Sequence, residues 1–532
     1  MQRDVLPSVL AHRAGEEPAR EFLRTTEGAS YTYAQVHEQC LIWADAYERA
    51  GIAPGQTVAT MLPTVPEAVF AWLGLAWLRA VEVPVNTSYR GGMLDYVLRD
   101  AGVTVVVIAE EFLDRLREIW PESLRLVVVV GAGADLPPRC VRAEDFVAAA
   151  EPSPRPEPRI SDLAAVIYTS GTTGRSKGVM VSWRHLNRLS TGLAPEGGLD
   201  DRDVFYLPLP MFHGSGKGSV FLMALVGGVV VLRARFRTPA FWPDVRRHGC
   251  TTTMLLGAMA QFVFAEPARA DDADSPLRNV LMVPVIPDVA AFRDRFGVRV
   301  HTWYGITEAG CPIATDDWRL EPAGSCGRAR PGYVAAVLDD EDRPVPAGTV
   351  GELAIRADGP WMLMAGYWGN PTAALAVWCN LWLHTGDAAY LDDAGNVFFV
   401  DRQKDAMRRR GENISSVEVE LETNTHPAVL ESAAYAVPSQ WGEDDVMIAV
   451  TCRDGRTVRA DELFEYLAGR LPHFMVPRYI EIMADLPRTP TQKVQKNVLR
   501  ERGATKQTWD REAAGAVVGR ERITLPRASG GV

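Results

Sequence analysis

Apolar positions along this chain fall into two alternating kinds of run. Glu67 to Arg79 (Glu-Ala-Val-Phe-Ala-Trp-Leu-Gly-Leu-Ala-Trp-Leu-Arg) is apolar on nearly every side, the pattern of a largely buried helix. Val103 to Ile108 and Leu126 to Val130 are short, β-branched and uninterrupted, as strands covered on both faces are. Leu163 to Ile167 has the same strand-like character. This succession predicts an α/β fold with stacked, mostly parallel sheets. The most apolar long stretch, Gly218 to Leu232, is interrupted by Gly227-Gly228 and is too short to span a bilayer, so it reads as buried core.

A chain of 532 residues exceeds what one core supports, so two or more domains are expected. Residues 151–162 form a Pro- and charge-rich link. Around Asp401 the pattern changes to a charged segment, followed by short amphipathic elements to about residue 500. Residues 504–532 have no periodic apolar pattern and are expected to form a flexible tail.

The net charge of −11 and pI near 5.5 argue against a nucleic-acid or anionic-membrane binder. Met1 to Glu17 carries charges throughout and no apolar signal core. Seven cysteines without paired or metal-like spacing suit reduced thiols, and the expected location is the cytoplasm.

The richest stretch for chemistry is Tyr168-Thr-Ser-Gly-Thr-Thr-Gly-Arg-Ser-Lys-Gly178, directly after the strand-like run. Glycines let a loop turn backbone N–H groups toward one point, hydroxyls add donors, and Arg175 and Lys177 add positive charge. That equipment suits a polyphosphate, although a Ser/Thr/Gly cluster is also the composition of a mobile surface turn. The Walker A spacing is absent.

This run resembles the signature loop of the adenylate-forming superfamily: acyl- and aryl-CoA synthetases, peptide-synthetase adenylation domains and luciferases. Four further blocks follow in the family's order. The resemblance spans about residues 30–500, and is closest in style to carnitine-type and small- or aryl-acid CoA ligases. It implies a large N-terminal domain over residues 1–400, a hinge at 401–404 and a small mobile α+β C-terminal domain over 405–503. It also implies ATP binding by Thr169, Ser170, Gly171, Thr172, Thr173, Gly174 and Lys177.

In Tyr304-Gly-Ile-Thr-Glu308, the resemblance implies that Tyr304 stacks on adenine, Thr307 touches the α-phosphate and Glu308 helps bind Mg2+. An oxygen-ligated cation would neutralise charge building on a pyrophosphate leaving group. In Trp382-Leu-His-Thr-Gly-Asp387, Asp387 would accept the ribose hydroxyls. In Asp401 to Asn413, Arg402 would contact ribose and Lys404 would be the hinge residue. There Gly411 would admit a pantetheine arm, and Arg408 and Asn413 would reach the nucleotide or its phosphate, while Arg409 reads as solvated. In Leu486 to Lys496, Lys493 takes the catalytic place, preceded by Gln492 where the family commonly has Gly.

The implied chemistry is attack of an acid on the α-phosphate of ATP, release of pyrophosphate, and transfer of the acyl group to coenzyme A. With no carrier domain after residue 500, a stand-alone enzyme is expected. The acid pocket would be lined by His213, Ser215, Lys217, Trp303 and Pro312. It departs from the family pattern. Val283 to Asp288 contains no glycine, and Trp303 stands where a glycine usually precedes the tyrosine, favouring a small or flat acid. Lys217 either pairs with an anionic group or snorkels to solvent. A closed pocket with a lysine also suits a diazotase, which adenylates nitrite and passes it to an arylamine in secondary metabolism. A catalytically inactive nucleotide-binding protein is the third alternative. It would lack one of Glu308, Asp387, Arg402 or Lys493, and all four are present.

Overall fold

The computed structural model describes residues 4–133, 136–169, 175–286, 288–402, 406–409, 412–439, 442–453, 455–487, 494, 496–518 and 523–524. Two sheets of mainly parallel strands organise the first half of the chain. In one, the strands run in the order Val81–Pro84, Thr57–Met61, Val105–Ala109, Leu126–Val130 and Cys140–Arg142, all parallel. The first three are buried at every position, and for Val105–Ala109 this explains an uninterrupted apolar run rather than an alternation.

The second sheet has seven strands, six of them parallel, with Ser30–Thr32 antiparallel at one edge. Helix Pro66–Trp77 is buried at every residue but Glu67. It presses against helix Tyr33–Arg49, and a Cβ on Gly74 would meet Trp43 Cβ at 2.6 Å, so glycine permits this approach. The Gly218–Leu232 stretch divides into helix Gly214–Val226 and strand Val229–Leu232, joined by Gly227 in the left-handed conformation at φ 84°.

Antiparallel elements follow. A three-stranded ribbon joins Trp303–Ile306, Gly310–Ala314 and Arg328–Ala329. A five-stranded sheet holds Tyr333–Leu338, Gly351–Ala357, Trp382–Leu391, Trp378–Cys379 and Val397–Arg402.

The chain divides into two compact units: Met1–Thr87, Leu94–Tyr168 and Gly178–Gln403 in one, and Ser88–Met93, Thr169–Lys177 and Lys404–Val532 in the other. Although early in sequence, the flanks of the signature loop fall in the second unit. There Glu418 accepts the Ser176 backbone N–H at 2.9 Å and its hydroxyl, with the Glu418 carboxyl pushed up by burial. The core of the second unit is the sheet Val429–Pro438, Asp444–Cys452, Tyr479–Ile482 and Trp509–Asp510.

Two expectations are corrected in this unit. Residues from 504 onward are not all tail. Trp509–Asp510 pairs antiparallel with Tyr479–Ile482, Asp510 accepts from the Arg478 guanidinium, and Arg511 and Ala516 are buried. A two-residue strand held by one aromatic and a few charges leaves no period in the sequence. Nor is Arg409 solvated: it is 4% exposed, its guanidinium 3.1 Å from Asp445 and donating to the carbonyls of Phe474 and Val476. Among the described residues no helix is long and apolar enough to cross a membrane.

Candidate active site

The first unit gathers most of the described motif residues on the ribbon and the neighbouring five-stranded sheet. Trp303 pairs with Ala314 and Tyr304 with Ile313. Because successive side chains of a strand alternate, Tyr304 faces one side of the ribbon while Trp303 and Pro312 share the other. His301 and Trp303 lie near-parallel, with ring centroids 6.1 Å apart.

On the first side, the Tyr304 hydroxyl donates to Asp387 Oδ2 at 2.7 Å. Phe399, 45% exposed, lies near-parallel to the Tyr304 ring at 6.5 Å. Asp387 is set by strand Trp382–Leu391, where Gly386 takes φ 73°, a conformation that favours glycine. Glu352 accepts the Gly386 N–H at 2.9 Å, and Thr385 Oγ1 accepts the Asp387 N–H at 3.2 Å. Asp387 stands directly across the strands from Arg402.

Thr307 and Glu308 occupy the turn between the two ribbon strands, and both are half-buried. Glu308 Oε1 accepts the Tyr367 hydroxyl at 2.8 Å, and its carbonyl accepts the Met364 N–H at 2.9 Å. Burial, then the Glu308 charge, pushes the Tyr367 phenol far above its ordinary range, so it stays a donor. Behind the turn, His185 is fully buried with neither ring nitrogen hydrogen-bonded, and burial pushes its imidazole down to about 3. A Cβ on Gly310 would sit 3.1 Å from this ring.

The other pocket candidates stand at the start of helix Gly214–Val226. His213 is its N-cap residue, half-buried against Phe212, and Ser215 is half-buried in the first turn. Lys217 does not reach solvent. It is 0% exposed, its ammonium lies against the Glu82 carboxylate, and it sits 4.0 Å above the Trp72 ring centroid. The snorkelling alternative is thereby corrected: the glycine-rich turn points this side chain into the interior, and its anionic partner belongs to the protein.

Thr169 ends strand Leu163–Thr169 and Lys177 begins strand Lys177–Ser182, both half-buried. Ser170, Gly171, Thr172, Thr173, Gly174, Lys404, Gly411, Gln492 and Lys493 lie outside the described residues.

Among the described residues no three His, Cys, Asp or Glu side chains cluster as a metal-holding group. Mg2+, however, keeps several waters and is commonly held by one or two carboxylates together with substrate phosphates. Glu308, a lone carboxylate with one oxygen steadied by Tyr367, fits a cation of that kind.

Tyr367, Phe399, Glu82 and Glu418 were not anticipated from the motifs. For Glu82 a signal was present: one acid inside the apolar run Val81-Glu-Val-Pro84 demands a buried counter-charge.

Residues 10–368 match the family described as AMP-binding enzyme, and residues 418–493 match the AMP-binding enzyme C-terminal domain. The chain is 32% identical over 487 residues to a crotonobetaine/carnitine–CoA ligase of Salmonella paratyphi C, covering 88% of this chain and 93% of that protein. Among solved structures it resembles the amide bond synthetase McbA of Marinactinospora thermotolerans, at 26% identity and TM-score 0.80 over 93% of this chain and 99% of that one. It also shares the fold of an o-succinylbenzoate CoA synthetase of Bacillus subtilis, at 24% identity and TM-score 0.81 over 93% of this chain and 98% of the other.

Proposed function

Because this chain belongs to the AMP-binding enzyme family and is of the AMP-forming acid–CoA ligase type, we propose that it activates a small or aromatic carboxylic acid as its acyl-AMP and passes the acyl group to coenzyme A. One observation carries the reading on the acid. The ribbon turns Tyr304 toward Asp387 on one face and presents Trp303 and Pro312 on the other, with Thr307 and Glu308 at the turn between its strands.

On this reading, Tyr304 and Phe399 offer aromatic surface to the adenine, and Asp387 offers two acceptor oxygens to the ribose. Arg402, across from Asp387, contacts the same sugar. Thr307 meets the α-phosphate, and the hydroxyls and Lys177 of the signature loop meet the other phosphates. Glu308 would hold Mg2+, whose charge offsets that of the leaving pyrophosphate. Lys493 bridges the attacking carboxylate and the α-phosphate as charge redistributes. Lys404 turns the C-terminal domain between the two half-reactions.

A bulky indole where relatives carry glycine shortens the space for the acid. The nitrite reading draws on a closed pocket together with Lys217; the closed pocket still suits it, but the Lys217 charge is already matched by Glu82. An amine in place of coenzyme A is the second reading, supported by the likeness to an amide bond synthetase.

The test is pyrophosphate release from MgATP across short aliphatic and aromatic acids, with products identified by mass. Turnover only with long-chain acids would overturn the pocket reading.

A further inference from the structure

Helix Gly214–Val226 begins Gly-Ser-Gly-Lys-Gly, a weak opening for a helix. Each glycine costs about 1 kcal/mol relative to alanine in a helix interior, and His213 provides no side-chain cap. The glycines answer to close packing. A Cβ on Gly216 would lie 2.2 Å from the Pro210 carbonyl oxygen, and one on Gly218 would lie 2.4 Å from Leu189 Cδ2. This turn is therefore pressed from two sides, yet intrinsically ill-determined.

One side chain in it is charged, and it points inward. Lys217 reaches from the first turn to Glu82 on strand Val81–Pro84 of the five-stranded parallel sheet. Glu82 Oε1 accepts the Thr60 hydroxyl at 2.7 Å from the neighbouring strand, so the carboxylate is itself fixed. The Trp72 face lies 4.0 Å from the ammonium and favours a cation there. The contact pairs the ammonium with the carboxylate inside the protein. Desolvation lowers the lysine and raises the glutamate, and each supplies the counter-charge that opposes this.

We propose that Lys217 is a positioning residue for the acid substrate: by anchoring the glycine-rich turn to Glu82, it fixes where His213 and Ser215 stand. The proposal rests on the reading above that those two residues face the acid. A nonpolar pair of similar volume can fill the same space, but it cannot hold a turn with three glycines to one place. The anchor thus sets acid affinity without touching the acid, and it leaves the nucleotide side of the ribbon alone.

The experiment uses Lys217→Met/Glu82→Met and Lys217→Arg in the full chain, measuring thermal midpoint and the KM values for acid and for ATP. The double variant removes both charges together, so it avoids leaving one buried and unpaired. We expect a thermal midpoint near the parent's, an acid KM raised about tenfold or more, as a small misplacement of positioning groups produces, and an unchanged ATP KM. Lys217→Arg keeps the charge but changes its reach, and should raise the acid KM alone. Parent-like acid KM in either variant, or equal rises in both KM values, would overturn the proposal. His213→Ala and Ser215→Ala separate the two levels. If neither moves the acid KM, the pocket reading itself fails, whereas normal Lys217 variants beside impaired His213 and Ser215 variants remove only the anchor.

Discussion

The Tyr304 hydroxyl donates to Asp387 at 2.7 Å, joining two motif blocks 83 residues apart in one buried contact. Each residue thereby orients the other: the phenol holds the carboxylate, and the carboxylate holds the ring on its side of the ribbon. Asp387→Ala is expected to raise the ATP KM by about 10- to 100-fold, the loss of charge-assisted hydrogen bonds. Tyr304→Phe keeps a ring and removes only the hydroxyl, so its effect on the ATP KM should be smaller. Steady-state kinetics at saturating acid distinguishes these outcomes from a general loss of fold.

Trp303 is 8% exposed and shares a ribbon face with Pro312. Trp303→Gly should admit longer acids, each added methylene being worth up to about 0.8 kcal/mol in a matching apolar space. Losing a buried indole also costs about 3–5 kcal/mol of stability, so chain-length profiles are to be compared below the variant's melting range. An unchanged profile would remove Trp303 from the pocket.

Lys493→Ala should lower pyrophosphate release by about a hundredfold or more, the scale for removing one donor that acts in a transition state. Lys404→Ala should impair transfer to coenzyme A more than adenylate formation. Single-turnover measurements of the two half-reactions test both, and equal losses in the Lys404 variant would count against a hinge there.

His185 and His301 are both 0% exposed, and burial pushes their imidazoles down to about 3 and about 4. In the unfolded chain they protonate near pH 6.5. Below that pH the unfolded state therefore binds protons that the folded state refuses, and stability falls as pH falls toward 4. Each group contributes about 1.4 kcal/mol per pH unit across its window. Urea titrations at pH 7.5 and pH 5 should show His185→Leu losing less stability than the parent. Equal losses would contradict the burial of a neutral imidazole.

How much of this was legible in the sequence depends on what kind of signal each feature leaves. Leu126–Val130 forms a strand over the very residues of its apolar run, because a strand covered on both faces needs apolar side chains at every position. Glycine-rich and acid-bearing motifs such as Tyr304 to Glu308 were legible because their residue types are unusual together. Partners formed by the fold were not. Glu82 and Lys217 are 135 positions apart, Tyr367 lies 59 from Glu308, and Ser176 lies 242 from Glu418. Two lone charges in apolar surroundings could have been matched to each other; a tyrosine beside a glycine carries no such mark. Arg409 misled because a basic run is usually solvated, and only the register of Ala406–Arg409 against Glu412–Ser415 decides which arginine turns inward.

The most direct test of the account is one reaction set: purified protein with MgATP, coenzyme A and a panel of short aliphatic acids, aromatic acids and nitrite, each product identified by mass. The account predicts acid-dependent pyrophosphate release and a CoA thioester of a small or aromatic carboxylic acid. Nitrite-dependent turnover that needs an arylamine and ignores coenzyme A would contradict it.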